Sequence, residues 1–157
     1  MMKIRFTSAA LVLGIALITQ GLFAQTKDPL VGTWELNRAK SEFNPDNTLQ
    51  TRTVEFTAKD GGVTFLQRTV TDRGNTVQSD YTAKFDEKDV PISGSQLDSV
   101  ALKRVDANTV QRTGKMGSKV VETATLKISN GGKTLTITTK GSIDGDEYSS
   151  TQVFEKQ

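Results

Sequence analysis

Glu122-Thr123-Ala124-Thr125-Leu126-Lys127-Ile128-Ser129-Asn130-Gly131-Gly132-Lys133-Thr134-Leu135-Thr136-Ile137 decides the fold. Ala124, Leu126 and Ile128 alternate with polar residues, and Leu135 and Ile137 do the same beyond Asn130-Gly131-Gly132. Period-two alternation places the apolar side chains on one face of a strand, and an Asn-Gly-Gly turn accepts the positive φ of a tight hairpin. The stretch therefore predicts two antiparallel strands sharing one apolar face.

The same rhythm runs outward in both directions. Alternation predicts strands at about 31–36, 51–58, 63–71, 76–86, 99–105, 109–114, 118–129, 133–140 and 147–155. Turn chemistry separates them: Asp60-Gly61-Gly62, Asp72-Arg73-Gly74-Asn75, Asp106-Ala107-Asn108, Gly114 to Gly117, and Asp144-Gly145-Asp146. Two segments break the rhythm. Residues 37–50, with Asn44-Pro45-Asp46, form a longer crossing, and residues 86–98, with Pro91 and Gly94, form another that includes a short strand near Val90-Ile92. Helix evidence is confined to a turn or two at Arg38 to Phe43, because threonine is abundant where a helix would favour Ala, Leu or Glu. The expected fold is all-β: an antiparallel up-and-down meander closing into a barrel of about eight to ten strands. The long connections leave a two-layer sandwich as the alternative.

Residues 1–24 carry Lys3 and Arg5, an apolar run from Ala9 to Ile18, and a small-residue exit at Leu22-Phe23-Ala24. That pattern predicts a signal peptide cut after Ala24, with residues 25–157 as one domain exported to the periplasm or the medium. A retained membrane anchor is the alternative, against which the short apolar run argues. Lys3 and Arg5 account for the whole formal charge of +2, so the remaining chain is balanced and nucleic acid is not an expected partner. The sequence has no His and no Cys, which removes Ser-His-Asp and Cys-His catalysis, His or Cys metal sites and disulfides. No enzyme activity and no cofactor are expected. Asp144-Gly145-Asp146-Glu147 contains only a fragment of a calcium-loop spacing and reads first as a hairpin turn, so no metal site is expected either.

Apolar rows locate the inner face. Trp34 shares a row with Leu36, Val54 with Phe56, Val63 with Phe65, Tyr81 with Phe85, Val100 with Leu102, and Tyr148 with Phe154. Polar residues in phase with those rows are the functional lead, because ligand cavities are mostly apolar with a few placed polar groups. Gln67 falls in line with Phe65, Arg112 with Val110, Glu122 with Ala124, and Ser150 and Gln152 with Tyr148 and Phe154. Gln67, Tyr81, Arg112, Glu122, Tyr148 and Gln152 form the candidate ligand-binding set. A slip of one residue in register would turn every one of them outward.

Gly32-Thr33-Trp34 at the head of the meander resembles the Gly-x-Trp opening motif of the lipocalin-like, or calycin, superfamily. Thr151-Gln152-Val153-Phe154-Glu155-Lys156 is similar to the last strand of intracellular fatty-acid-binding proteins. With Gly32 to Asn37, Asp106-Ala107-Asn108-Thr109-Val110 and Gly132-Lys133-Thr134-Leu135-Thr136, the domain resembles small exported bacterial proteins of lipocalin-like fold. The resemblance implies that Trp34 plugs one barrel end, and Lys156 is the candidate for the basic residue that packs over it. Two family devices are missing: Asp146 to Gln152 contains no Arg to hold a carboxylate, and Trp34 is the one tryptophan where biotin-binding barrels use several.

Two readings of function follow. The first is an exported, non-enzymatic barrel binding a small, largely apolar molecule in its lumen, with calycin resemblance carrying most of the weight. The second is a filled barrel acting as an inhibitor or envelope interaction module through loops 37–50 and 86–98. An open cavity favours the first, whereas a lumen closed by Trp34, Phe56, Phe65, Tyr81 and Phe154 favours the second.

Overall fold

A computed structural model describes residues 27–46 and 48–157, so the expected signal peptide at 1–24 lies outside the described residues. The strands are β1 (Gly32–Leu36), β2 (Glu42–Asn44), β3 (Leu49–Lys59), β4 (Gly62–Thr71), β5 (Thr76–Lys84), β6 (Val90–Pro91), β7 (Ser99–Asp106), β8 (Thr109–Met116), β9 (Lys119–Ser129), β10 (Thr134–Ile143) and β11 (Asp146–Lys156). A 3-10 turn at Arg38–Lys40 is all that the helical tendency of 38–43 produces before β2 begins.

All the strands belong to one antiparallel sheet, ordered β5-β4-β3-β1-β11-β10-β9-β8-β7-β6, with β2 on β11. The hairpin quoted first forms as expected, with Ile128 opposite Leu135 and Leu126 opposite Ile137. Asn130, Gly131 and Gly132 all take positive φ in its turn, a backbone conformation that glycine adopts without a Cβ penalty. Closure comes from β1, which lies between the early and the late strands. It pairs Trp34 with Val54 of β3 on one side and with Lys156 of β11 on the other.

After β1 the chain loops out through the 3-10 turn and returns to the same edge of β11, pairing Asn44 with Ser149 and Glu42 with Thr151. The turn is tied to β11 by the Asn37 amide donating to the Val153 carbonyl (2.8 Å), the Val153 amide donating to Ser41 Oγ (2.9 Å), and Asn37 Nδ2 and Lys40 Nζ donating to Glu155 Oε1 (2.9 and 3.0 Å). The barrel is nearly closed rather than fully laddered. Between β5 and the β6–β7 side the joins are two isolated bridges, Asp80 with Ser93 and Asp86 with Lys103. This is a barrel, and the sandwich alternative is not its architecture.

The interior changes character along the barrel axis. At one end Trp34, Phe56 and Phe154 are almost wholly buried, with Phe65 and Tyr81 beside them. The Phe65 and Tyr81 rings stack at 4.6 Å between centroids, and Phe56 meets Phe65 at 5.3 Å. Each such side chain contributes on the order of 1.5–3 kcal/mol through removal of apolar surface from water. The indole Nε1 of Trp34 donates to the Leu30 carbonyl (3.0 Å), and Lys156 Nζ stands 4.7 Å from the ring centroid while donating to the Pro29 carbonyl (3.2 Å). Trp34 is thus wholly buried at this end, with Lys156 as the cation over its ring. Leu30 is itself buried, and Asp28 is held by Arg104, so the segment before β1 is part of the floor.

Candidate functional site

Each inner row runs from apolar at the Trp34 end to polar at the other. On β3 the order is Phe56, Val54, Arg52; on β4 it is Val63, Phe65, Gln67, Thr69; on β8, Val110 then Arg112. On β9 it is Ile128, Leu126, Ala124, Glu122; on β10, Leu135, Ile137, Thr139; on β11, Phe154, Gln152, Ser150, Tyr148. The polar ends surround a cavity of about 360 Å³. Its walls include Arg52, Phe65, Gln67, Arg112, Glu122, Thr139, Tyr148, Ser150 and Gln152, and it is bordered by Phe43 to Asp46 from one loop and by Ile92, Ser95 and Leu97 from the other. The two outcomes set against each other by the sequence coexist: the five aromatic residues fill the floor, and the mouth stays open.

Five of the six candidate residues, Gln67, Arg112, Glu122, Tyr148 and Gln152, line this cavity. Tyr81 does not; it lies buried in the aromatic floor. Glu122 is the centre of the group. Arg112 Nη2 donates to its Oε1, and the Tyr148 hydroxyl donates to its Oε2 at 2.9 Å. Two glycines on the neighbouring strands, Gly141 of β10 and Gly114 of β8, stand opposite Glu122. Because Gly141 lacks a side chain, the Tyr148 ring crosses it to reach the carboxylate; a Cβ there would come within 2.3 Å of Tyr148 Cζ. Leu97 covers Gly114 in the same manner, 2.7 Å from where a Cβ would stand.

Arg52 is the functional side chain that sequence reasoning missed. Its Nε donates to Thr69 Oγ1 (2.9 Å) and its Nη1 to Gln152 Oε1 (2.6 Å), and Gln152 Nε2 donates onward to Ser150 Oγ (3.1 Å). No carboxylate of the described residues lies within ion-pair distance of Arg52. The signal was present, since Arg52 is in phase with Val54 and Phe56 as Arg112 is with Val110.

Electrostatics separate the two arginines. Burial lowers the Arg52 pKa to about 10, with no neighbouring charge opposing it. Burial acts most strongly on Arg112 and in the same direction, but Glu122 and Tyr81 together outweigh it and the pKa rises above the ordinary value. Burial pushes Tyr81 up, partly opposed by Arg112. Tyr148 is pushed up by burial and further by the Glu122 charge. Within the buried cluster the Tyr81 hydroxyl lies beside the Arg112 guanidinium without good hydrogen-bond geometry, and neither it nor Arg112 Nε has another partner among the described residues. Asp144 and Gly145, both at positive φ, make the β10–β11 turn, and no set of three His, Cys, Asp or Glu able to hold a metal is found among the described residues.

No family model and no curated protein matches the chain. Among solved structures it is similar to zebrafish ileal bile acid-binding protein complexed with cholic acid. The TM-score is 0.52 at 14% identity, over 82% of this chain and 99% of that one. At that identity the likeness shows the fold, a calycin-like barrel, in agreement with the antiparallel closure described above.

Proposed function

We propose that the protein is an exported, non-enzymatic barrel that holds a small molecule with a largely apolar body in the open half of its lumen. The observation carrying this reading is the 360 Å³ cavity into which Arg52, Gln67, Glu122, Tyr148 and Gln152 converge above an aromatic floor. Its volume lies at the lower end of the range for small-ligand pockets, about 300–1,000 Å³. A cavity at the mouth of a barrel is a common place for such a guest. The similar barrel crystallised with cholic acid supports small-molecule binding by this fold. Loops 37–50 and 86–98 contribute Phe43, Asn44, Pro45, Asp46, Ile92, Ser95 and Leu97 to the cavity border, which favours a ligand-enclosing role over a free contact surface.

Native mass spectrometry of the chain as purified tests for a retained guest, and amide NMR during addition of neutral and charged small compounds tests for binding. The expected result is a bound mass, or shifts confined to amides of cavity residues such as Gln67, Thr139 and Ser150. A chain that carries no guest and whose cavity amides respond to no compound refutes the reading. Export is tested separately by the mass of the protein recovered from the periplasm or medium, which should begin at Gln25.

A further inference from the structure

We infer that the guest is a compact carboxylate, its anionic group received by Arg52 and its apolar body lying on Phe43, Phe65, Ile92 and Leu97. This rests on the lumen-binding reading and specifies the class of ligand. The cavity wall carries two guanidinium groups, but Glu122 neutralises one of them through its contact with Arg112. Arg52 is different: it is oriented by two neutral acceptors, Thr69 Oγ1 and Gln152 Oε1, and Nη2 has no protein partner among the described residues. A guanidinium carries five N–H donors in a planar fork suited to a carboxylate. Arg52 uses two of them on Thr69 and Gln152, and the fork is thereby held in place with donors to spare. A half-buried cation left without a counter-charge is unfavourable, and an incoming anion removes that cost by forming charge-assisted hydrogen bonds.

Size limits the guest. The cavity of about 360 Å³ is near the lower end of small-ligand pockets and suits a compact guest. The space beneath is filled by Phe56, Phe65, Tyr81, Phe154 and Trp34, so a long acyl chain cannot extend towards the Trp34 end.

Calorimetric titration of the full chain with phenylbutyrate, its uncharged amide and palmitate tests the inference. The acid should bind about tenfold or more tightly than the amide, and palmitate should not bind within the lumen. Arg52→Gln should lose about tenfold or more for the acid and distinctly less for the amide. Equal affinities for acid and amide, an unaffected Arg52→Gln variant, or palmitate binding as tightly as phenylbutyrate would each overturn it. Should that variant not fold, the acid–amide comparison on the native chain decides alone. Cavity amides that respond to neutral compounds but not to phenylbutyrate overturn the carboxylate inference and leave lumen binding standing. Cavity amides silent to every compound remove both.

Discussion

Replacing Glu122 by Gln keeps the side-chain shape and removes only the charge, which isolates what the carboxylate does for Arg112. The Arg112 and Glu122 side chains are 14% and 10% exposed, so the glutamine variant leaves a guanidinium nearly buried without its counter-ion. Breaking a fully buried pair costs about 3–5 kcal/mol; because this pair borders a cavity that water can enter, we expect about 2–3 kcal/mol. Tyr148 contributes little to that loss, since its hydroxyl at 2.9 Å keeps an amide oxygen to donate to. A domain stable by about 5–15 kcal/mol remains folded after such a loss, so equilibrium unfolding in urea can measure it. The companion experiment is Arg112→Met combined with Glu122→Gln. Removing both charges should cost less than the sum of the single losses by about 1 kcal/mol or more, because neither variant group is then a charge without a partner. A Glu122→Gln variant within about 0.5 kcal/mol of the native chain, or strict additivity in the double variant, would refute the account of Glu122 as the counter-charge holding Arg112.

Alkaline titration followed by phenolate absorbance reads Tyr81 and Tyr148 alone, since they are the two tyrosines of the chain. Both pKa values are raised in the fold by burial, so their stabilising contribution is complete below the ordinary tyrosine pKa and is lost as pH rises above it. Phenolate should form together with loss of the β-sheet circular dichroism; ionisation of either tyrosine near its ordinary pKa in an intact barrel would contradict this. Gly141→Ala should push the Tyr148 ring off its strand, since the new Cβ would fall 2.3 Å from Cζ. The expected loss is about 1–3 kcal/mol, with one phenol titrating closer to its ordinary value; an unchanged titration would show that the ring does not depend on that glycine. Lys156→Met removes the cation 4.7 Å from the Trp34 ring and the bond to Pro29. It should cost about 1 kcal/mol and alter the fluorescence of Trp34, the one tryptophan; unchanged stability and emission would mean that the cation is incidental.

Much of the lumen was legible because period two is a local property. Phase with Phe65, Val110, Ala124 and Phe154 was enough to turn Gln67, Arg112, Glu122 and Gln152 inward, and the short strand at Val90 falls within the 86–98 break where one was expected. Glu42-Phe43-Asn44 was not legible as β2. Three residues before a proline carry no periodic signal, and they form a strand only because the edge of β11 beyond β1 is open to them.

Local alternation is enough to dictate a succession of short strands with one apolar face each, and which side chains share that face. The tertiary structure decided which of those side chains meet. Arg52 and Gln152 are far apart in sequence and lie on strands that do not pair directly, with β1 between β3 and β11 in the sheet. Gly141 and Gly114 flank Glu122 only once the β9 register is set on both sides. Alternation is imposed residue by residue by the pleat, whereas the partner of a buried charge is set by closure of the sheet. Closure is also what distinguished Arg112, neutralised by Glu122, from Arg52, which has no carboxylate at ion-pair distance among the described residues.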